Sequence, residues 1–219
     1  MIVWNLNLLT GSEQQALLTL LPPGYAAAYH QAGAPGRKRE LLGSGAVIGA
    51  LMKVYGKTQE PERSRSGKPD YPDVHFNISH SGGMLIAALS GCEIGIDIER
   101  IRQVPVAVAK KFHLPADDAE AFFVQWTRME ACVKADGQGI GALMTINQSN
   151  YRICSDFLKF DKETYVYAIA MPINKVGDPA QLCAKEGSKG ENLKAAEEAV
   201  LQVLGACGKL SFPPEEIII

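Results

Sequence analysis

The segment Gly95-Ile96-Asp97-Ile98-Glu99 admits few backbone conformations. Isoleucine and acid alternate, and only a period of two sends both isoleucines to one side and both carboxylates to the other. It reads as a half-buried strand, apolar on one face and acidic on the other. A second pattern follows at Trp126-Thr127-Arg128-Met129-Glu130-Ala131-Cys132-Val133-Lys134, where Trp126, Glu130 and Lys134 recur every four residues. A helix stacks them along one stripe and brings acid and base within reach. Where such a strand and helix meet, Asp97, Glu99 and Glu130 form a set of oxygen ligands for a hard cation such as magnesium.

The class of protein follows from size and balance. A chain of 219 residues with 47% hydrophobic content forms one large domain or two small ones around a real core. Its 22 basic and 24 acidic residues leave a net charge of -2, which points to neither nucleic acid nor a membrane as a partner. No stretch approaches the roughly 20 apolar residues of a membrane span, and the opening Met1-Ile2-Val3-Trp4-Asn5-Leu6-Asn7 lacks a basic leader, so the expected location is cytoplasmic. Cys92, Cys132, Cys154, Cys183 and Cys207 are odd in number and widely spaced, which suits reduced core thiols better than disulfides or a zinc site.

Along the chain, residues 2–8 predict a strand and 12–21 a helix capped by Ser12 and stopped by Pro22-Pro23-Gly24. Apolar residues from Leu41 to Met52 keep a helical period, predicting a long amphipathic helix over 37–55. Residues 58–73 read as an exposed loop carrying Gly67-Lys68-Pro69. Three short strands at 74–79, 84–90 and 93–99 predict an antiparallel meander. Helices are expected over 104–112 and 117–136, the latter stopped by Gly137-Gln138-Gly139, then strands at 151–160 and 164–172, and a helix over 192–204. Helix-then-strands in both halves suggests a duplicated α+β architecture.

Asp97 and Glu99 lie about 6.6 Å apart along a strand, too far to share a proton but suited to flank a metal. Magnesium takes one or two carboxylates and commonly substrate phosphates, so the pair points to phosphate chemistry. Each residue singly has an ordinary reading: solvated acids on a strand face, a surface ion pair at Glu130 and Lys134, a core Trp126. Together they supply a cation site, a general base and a cation for phosphate charge. Asn77-Ile78-Ser79-His80-Ser81-Gly82-Gly83 adds polar groups and an imidazole at a strand end, suited to gripping phosphate. The glycines of Gly43-Ser44-Gly45-Ala46-Val47-Ile48-Gly49 do not fit a dinucleotide fold, because the third comes one position late and no strand precedes them.

From about Arg39 to Gly141 the chain resembles the 4'-phosphopantetheinyl transferases, specifically the longer, pseudo-dimeric, surfactin-synthetase-activating type that serves nonribosomal peptide and polyketide biosynthesis. Gly67-Lys68-Pro69, Phe76-Asn77-Ile78-Ser79-His80-Ser81-Gly82, Gly95-Ile96-Asp97-Ile98-Glu99, and Trp126-Thr127 with Glu130, Lys134 and Gly137 fall in the family's order. The resemblance implies two similar α+β subdomains, residues 1–100 and 101–219, each a small antiparallel sheet packed with helices, with coenzyme A in the cleft between them. It implies Mg2+ on Asp97, Glu99 and Glu130. Arg39 and His80 would contact the 3'-phosphate of coenzyme A, Lys68 and Ser79 would add phosphate contacts, and Lys134 would meet the bridging phosphates. Glu130 and Lys134 would be catalytic, moving the 4'-phosphopantetheine arm to a serine of an apo acyl or peptidyl carrier protein and releasing 3',5'-ADP.

The chain departs from that pattern at Met129, where the family usually has lysine, and between 24 and 34, which hold no lysine or arginine, so Arg37 and Lys38 are the nearest stand-ins. A non-catalytic coenzyme A-binding or carrier-docking module of the same fold, or another magnesium-dependent nucleotide enzyme such as a hydrolase, is the competing reading. An internal duplication would supply the cleft within one chain, so a monomer is expected.

Overall fold

The computed structural model describes residues 1–64, 67–173, 198, 199 and 202. Element order is β1 (Ile2–Asn5), α1 (Gly11–Leu18), α2 (Pro23–Gln31), α3 (Pro35–Val54), β2 (Glu62–Arg63), β3 (Pro69–Asp70), β4 (His75–Ser81), β5 (Met84–Ser90), β6 (Gly95–Arg100), α4 (Val106–Phe112), α5 (Ala119–Asp136), β7 (Tyr151–Phe160) and β8 (Glu163–Pro172). The class is α+β, as expected. Two three-stranded antiparallel sheets, β1-β5-β4 and β6-β8-β7, carry the helices, and β2 pairs with β3 as a separate two-stranded ribbon.

Local chemistry explains most boundaries. Thr10 caps α1, accepting from the Glu13 amide while the Glu13 carboxylate accepts from the Thr10 amide. The cap is therefore Thr10 and not Ser12. The first strand stops at Asn5, where a 3-10 turn over Leu6–Leu8 replaces the expected extension. Pro23 does not simply end a helix; it opens α2, since a proline at the first helical position lacks only an amide that would be unpaired anyway. Asp118 caps α5 by accepting from Ala121, and Gly137, left-handed at φ 68°, closes it. Gly82 and Gly83, at φ 59° and 88°, make the two-residue turn that joins β4 to β5. The helix expected over 192–204 and the final isoleucines fall essentially outside the described residues.

The meander is not formed. β4 and β5 make the expected hairpin, but β6 leaves them and pairs antiparallel with β8, Asp97 opposite Ala168 and Glu99 opposite Val166. It is an edge strand of the second sheet, so its outward amides need other partners. Side chains of β4 supply them: Asn77 Oδ1, Ser79 Oγ and Ser81 Oγ accept from the amides of Ile96, Ile98 and Arg100 at 2.9, 3.4 and 3.1 Å. Both strands advance two residues per rung, so β4 and β6 run parallel along a seam made by side chains.

Strand alternation then sorts the cores. Ile2, Trp4, Leu85 and Ala87 pack with Leu42, Ile48 and Leu51 of α3. The intervening Val3, Ile86 and Ala88 pack with Ile96, Ile98, Tyr165, Tyr167 and Ile169, a core shared by both sheets. The opposite face of the second sheet meets α5, through Ala168 and Ala170 against Ala131, Cys132 and Ala135. Small residues let the helix lie close, and closest at Gly95, where an added Cβ would stand 2.0 Å from the Ala131 carbonyl oxygen and 2.3 Å from the Ala135 amide nitrogen. Both faces of β6 are therefore covered, not one as the sequence pattern implied.

Those obstructing atoms are backbone, so the helix itself must move to admit a methyl group. Gly95→Ala is expected to cost about 3 kcal/mol, a fall in melting temperature on the order of 10 °C. Gly91→Ala, where a Cβ meets nothing within 4 Å, serves as control and should leave the melting curve in place. Equal melting temperatures for the two variants would contradict the close approach of α5.

Candidate functional site

The acidic face of β6 points at α5, and the alternation that buries Ile96 and Ile98 in the shared core leaves Asp97 between strand and helix, 4% exposed. A carboxylate there must be paired and hydrogen-bonded. Lys134 Nζ donates to Asp97 Oδ1 at 2.6 Å, and Ser79 Oγ donates to the same oxygen at 2.8 Å. Lys134 also donates to Ser79 Oγ at 3.0 Å. With the Ile98 amide as a further donor, the Ser79 hydroxyl has used its one proton and both lone pairs. Asp97 Oδ2 is buried with no hydrogen-bond partner.

Glu130 lies one turn before Lys134 on the stripe read from the sequence, its Oε2 3.9 Å from Lys134 Nζ. Burial, then the charge of Asp97, raises its pKa from an ordinary 4.5 to about 7, with Lys134 opposing and Glu99 adding to the rise. Burial likewise raises Asp97, against Lys134 and Ser79. Glu99, further along β6, accepts at Oε2 from Ser81 Oγ at 2.9 Å and from Arg102 Nη1 at 2.7 Å, and the Arg102 guanidinium rests 4.9 Å above the Phe123 ring. Strand and helix thus do meet. The third member of the stripe, Trp126, packs with Phe112 and Phe122 in the helix core and stays out of the site.

Among the described residues no group of three or more His, Cys, Asp and Glu side chains stands arranged around a metal position. The donor set nevertheless suits one. A buried carboxylate oxygen lacks a donor, and burial together with the charges of Asp97 and Glu99 raises the proton affinity of Glu130; a divalent cation would partner that oxygen and offset the acids' repulsion.

Two depressions flank Pro69 and Ile78. One, of about 260 Å³, is lined by Lys68, Glu130, Val133, Lys134, Ile140 and Leu143. The stretch read as an exposed loop instead holds the β2–β3 pair, and Lys68, just before β3, is nearly buried, donating to the Ile94 carbonyl at 3.2 Å with Glu93 at 3.9 Å. The other, of about 190 Å³, brings together Arg37, Glu40, Arg63 and His80. Glu40 lies 3.6 Å from His80 Nδ1 and 3.2 Å from Arg37. Burial holds the His80 pKa below its ordinary value, with Lys134 and Arg37 reinforcing and Glu40 opposing. Arg39 does not line this depression; its Nε is buried without a hydrogen-bond partner. Arg63, from the loop read as merely exposed, takes a place in it beside Arg37. Met129 is buried against Val133, Ala142 and Leu143, so the position that departs from the family pattern faces an apolar cluster.

Sequence reasoning missed Arg63, Arg102 and Ser81. Polar residues at every second position, Asn77, Ser79 and Ser81, were a readable signal of one strand face, but their partner strand was not.

No family model matches the chain. Curated proteins named 4'-phosphopantetheinyl transferase do. One from Bacillus pumilus is 33% identical over 120 residues, 47% of this chain and 52% of its own length. Another, from Bacillus subtilis strain 168, is 34% identical over 129 residues, 51% of this chain and 56% of its own. A third, from Aneurinibacillus migulanus, is 33% identical over 118 residues, 47% and 49% respectively. The chain spans about half the length of the curated relatives it matches, and over that span it is similar to the 4'-phosphopantetheinyl transferases.

Proposed function

We propose that this protein transfers the 4'-phosphopantetheine arm of coenzyme A to a serine of an apo acyl or peptidyl carrier protein, releasing 3',5'-ADP. The observation that carries the reading is the meeting of Asp97 from β6 with Glu130 and Lys134 from α5 beside a depression lined by Lys68. The similarity to named 4'-phosphopantetheinyl transferases supports the same chemistry.

Asp97, Glu99 and Glu130 would hold Mg2+. When bound, the ion withdraws charge from the pyrophosphate of coenzyme A. Lys134, already drawn to this position by Asp97, supplies a second positive charge to the phosphoryl oxygens. Lys68 would line the same phosphate path, while His80, Arg37 and Arg63 line a separate depression where the 3'-phosphate would take the place Glu40 now holds against His80 and Arg37. Arg39 and Ser79 remain proposed contacts only with rearrangement, since Ser79 is committed to the β4–β6 seam. Glu130, one turn from Lys134 and lining the same depression, is the carboxylate that would take the serine proton, directly or through water. The serine oxygen attacks the phosphorus bearing pantetheine, and the bond to the bridging oxygen breaks so that 3',5'-ADP leaves with the electron pair. The division into subdomains 1–100 and 101–219, the monomeric state and a cytoplasmic location belong to the same proposal; no helix among the described residues is long and apolar enough to cross a membrane.

Incubating the protein with coenzyme A, Mg2+ and apo acyl and peptidyl carriers should add one phosphopantetheine to a carrier serine, read by intact mass. No mass gain on any carrier, with coenzyme A bound, would contradict catalysis and favour a docking module. Glu130→Gln should slow transfer by roughly 100-fold or more while calorimetry still detects coenzyme A. Equal losses of binding and turnover would remove Glu130 from the chemical step.

The raised pKa also predicts a pH signature in metal-free buffer. The folded protein holds the Glu130 proton up to about pH 7 and the unfolded chain only to about 4.5, so this group's stabilisation is complete below 4.5 and is lost as pH rises to 7. Glu130→Gln should gain in melting temperature relative to the parent across that window and hold the gain above it. A difference independent of pH would contradict the buried acid cluster.

A further inference from the structure

We infer that Ser81 is a positioning residue for Glu99, holding the orientation of its carboxylate from the β4 side of the seam; the inference rests on the reading of Asp97 and Glu99 as divalent-cation ligands.

The seam has a repeating unit. Ser79 accepts from the Ile98 amide and donates to Asp97 Oδ1. Two residues on, Ser81 accepts from the Arg100 amide at 3.1 Å and donates to Glu99 Oε2 at 2.9 Å. In each unit the β6 amide fixes the hydroxyl rotor, which then has one proton left, aimed at the carboxylate beside that amide. The rung before, Asn77 to the Ile96 amide, has the same backbone partner but holds no carboxylate. The three rungs together align β4 with β6; only the two serines also orient acids.

Glu99 shows what the second unit does. Both of its donors, Ser81 and Arg102, bind Oε2, which leaves Oε1 as the oxygen for an added ligand. Arg102, half-exposed and anchored by its own turn and by the Phe123 ring, holds the same oxygen from within the second sheet's side of the seam. Ser81 ties the carboxylate to the other sheet. Residues that hydrogen-bond a metal-ligating side chain commonly change metal affinity by roughly 10- to 100-fold when altered.

The test compares rungs by magnesium titration of the purified full chain, following the rise in melting temperature and the heat of binding, neither of which requires turnover. Ser81→Ala should weaken apparent magnesium affinity roughly 10-fold, and Ser81→Thr, which keeps the hydroxyl, should restore most of it. Asn77→Ala removes a rung without a carboxylate, so it should lower the melting temperature yet keep the parent's magnesium affinity. Ser81→Cys, similar in size but a weak donor, carries the same expectation as alanine should alanine not fold. Ser81→Ala and Asn77→Ala shifting magnesium affinity equally, or neither shifting it, would overturn the inference, as would a parent with no magnesium response. Carrier modification, assayed in parallel, keeps the two claims apart. A parent inactive on every carrier but showing this titration pattern sinks the transferase and keeps the seam, whereas an active parent with an unaltered Ser81→Ala titration does the reverse.

Discussion

Asp97 is a carboxylate held where a lone charge is strongly disfavoured, and its bonds to Lys134 and Ser79 determine how much of the molecule must be arranged. Lys134 comes from α5, so the helix has to lie against β6; Gly95, Ala131 and Ala135 make that approach geometrically open. Ser79 comes from β4, so the first sheet has to abut the edge of the second. One buried acid thus ties three elements that are 18 to 55 residues apart in sequence. Removing a single partner would leave a buried group unpaired, a heavier loss than a surface ion pair could produce.

The same arrangement leaves the centre unbalanced in a useful way. Asp97 and Glu130 share Lys134 while Glu99 pairs with Arg102, and burial with the acids' mutual repulsion raises the proton affinity of Glu130 and Asp97 and leaves Oδ2 of Asp97 unpartnered. A protein selected for stability alone would do better with apolar residues of similar volume here. A divalent ion would relieve that condition, in keeping with the similarity to proteins named for phosphopantetheinyl transfer.

Much of this was legible in the chain because local periods carried it. Alternating Ile96 and Ile98 against Asp97 and Glu99, and the four-residue spacing of Glu130 and Lys134, gave strand and helix faces correctly, as did the long apolar period of α3 and the strands β7 and β8. What period could not give was pairing. β5 to β6 looked like one more hairpin because sequence neighbours usually pair, but the register of β6 with β8 is decided by a core assembled from Tyr165, Tyr167 and Ile169, far along the chain. Helix α2 was hidden because Pro23 stops a helix or starts one depending on its position within the turn. Ser81 was hidden because a hydroxyl serves a distant amide and a distant acid, neither of which marks it in sequence.

Crystals of the protein grown with coenzyme A and manganese in place of magnesium would test the central claim most directly, since manganese reports its position by anomalous scattering. The account predicts one peak beside the pyrophosphate, contacted by Asp97 through Oδ2, by Glu99 and by Glu130. A nucleotide bound elsewhere, or a manganese peak away from all three carboxylates, would contradict it.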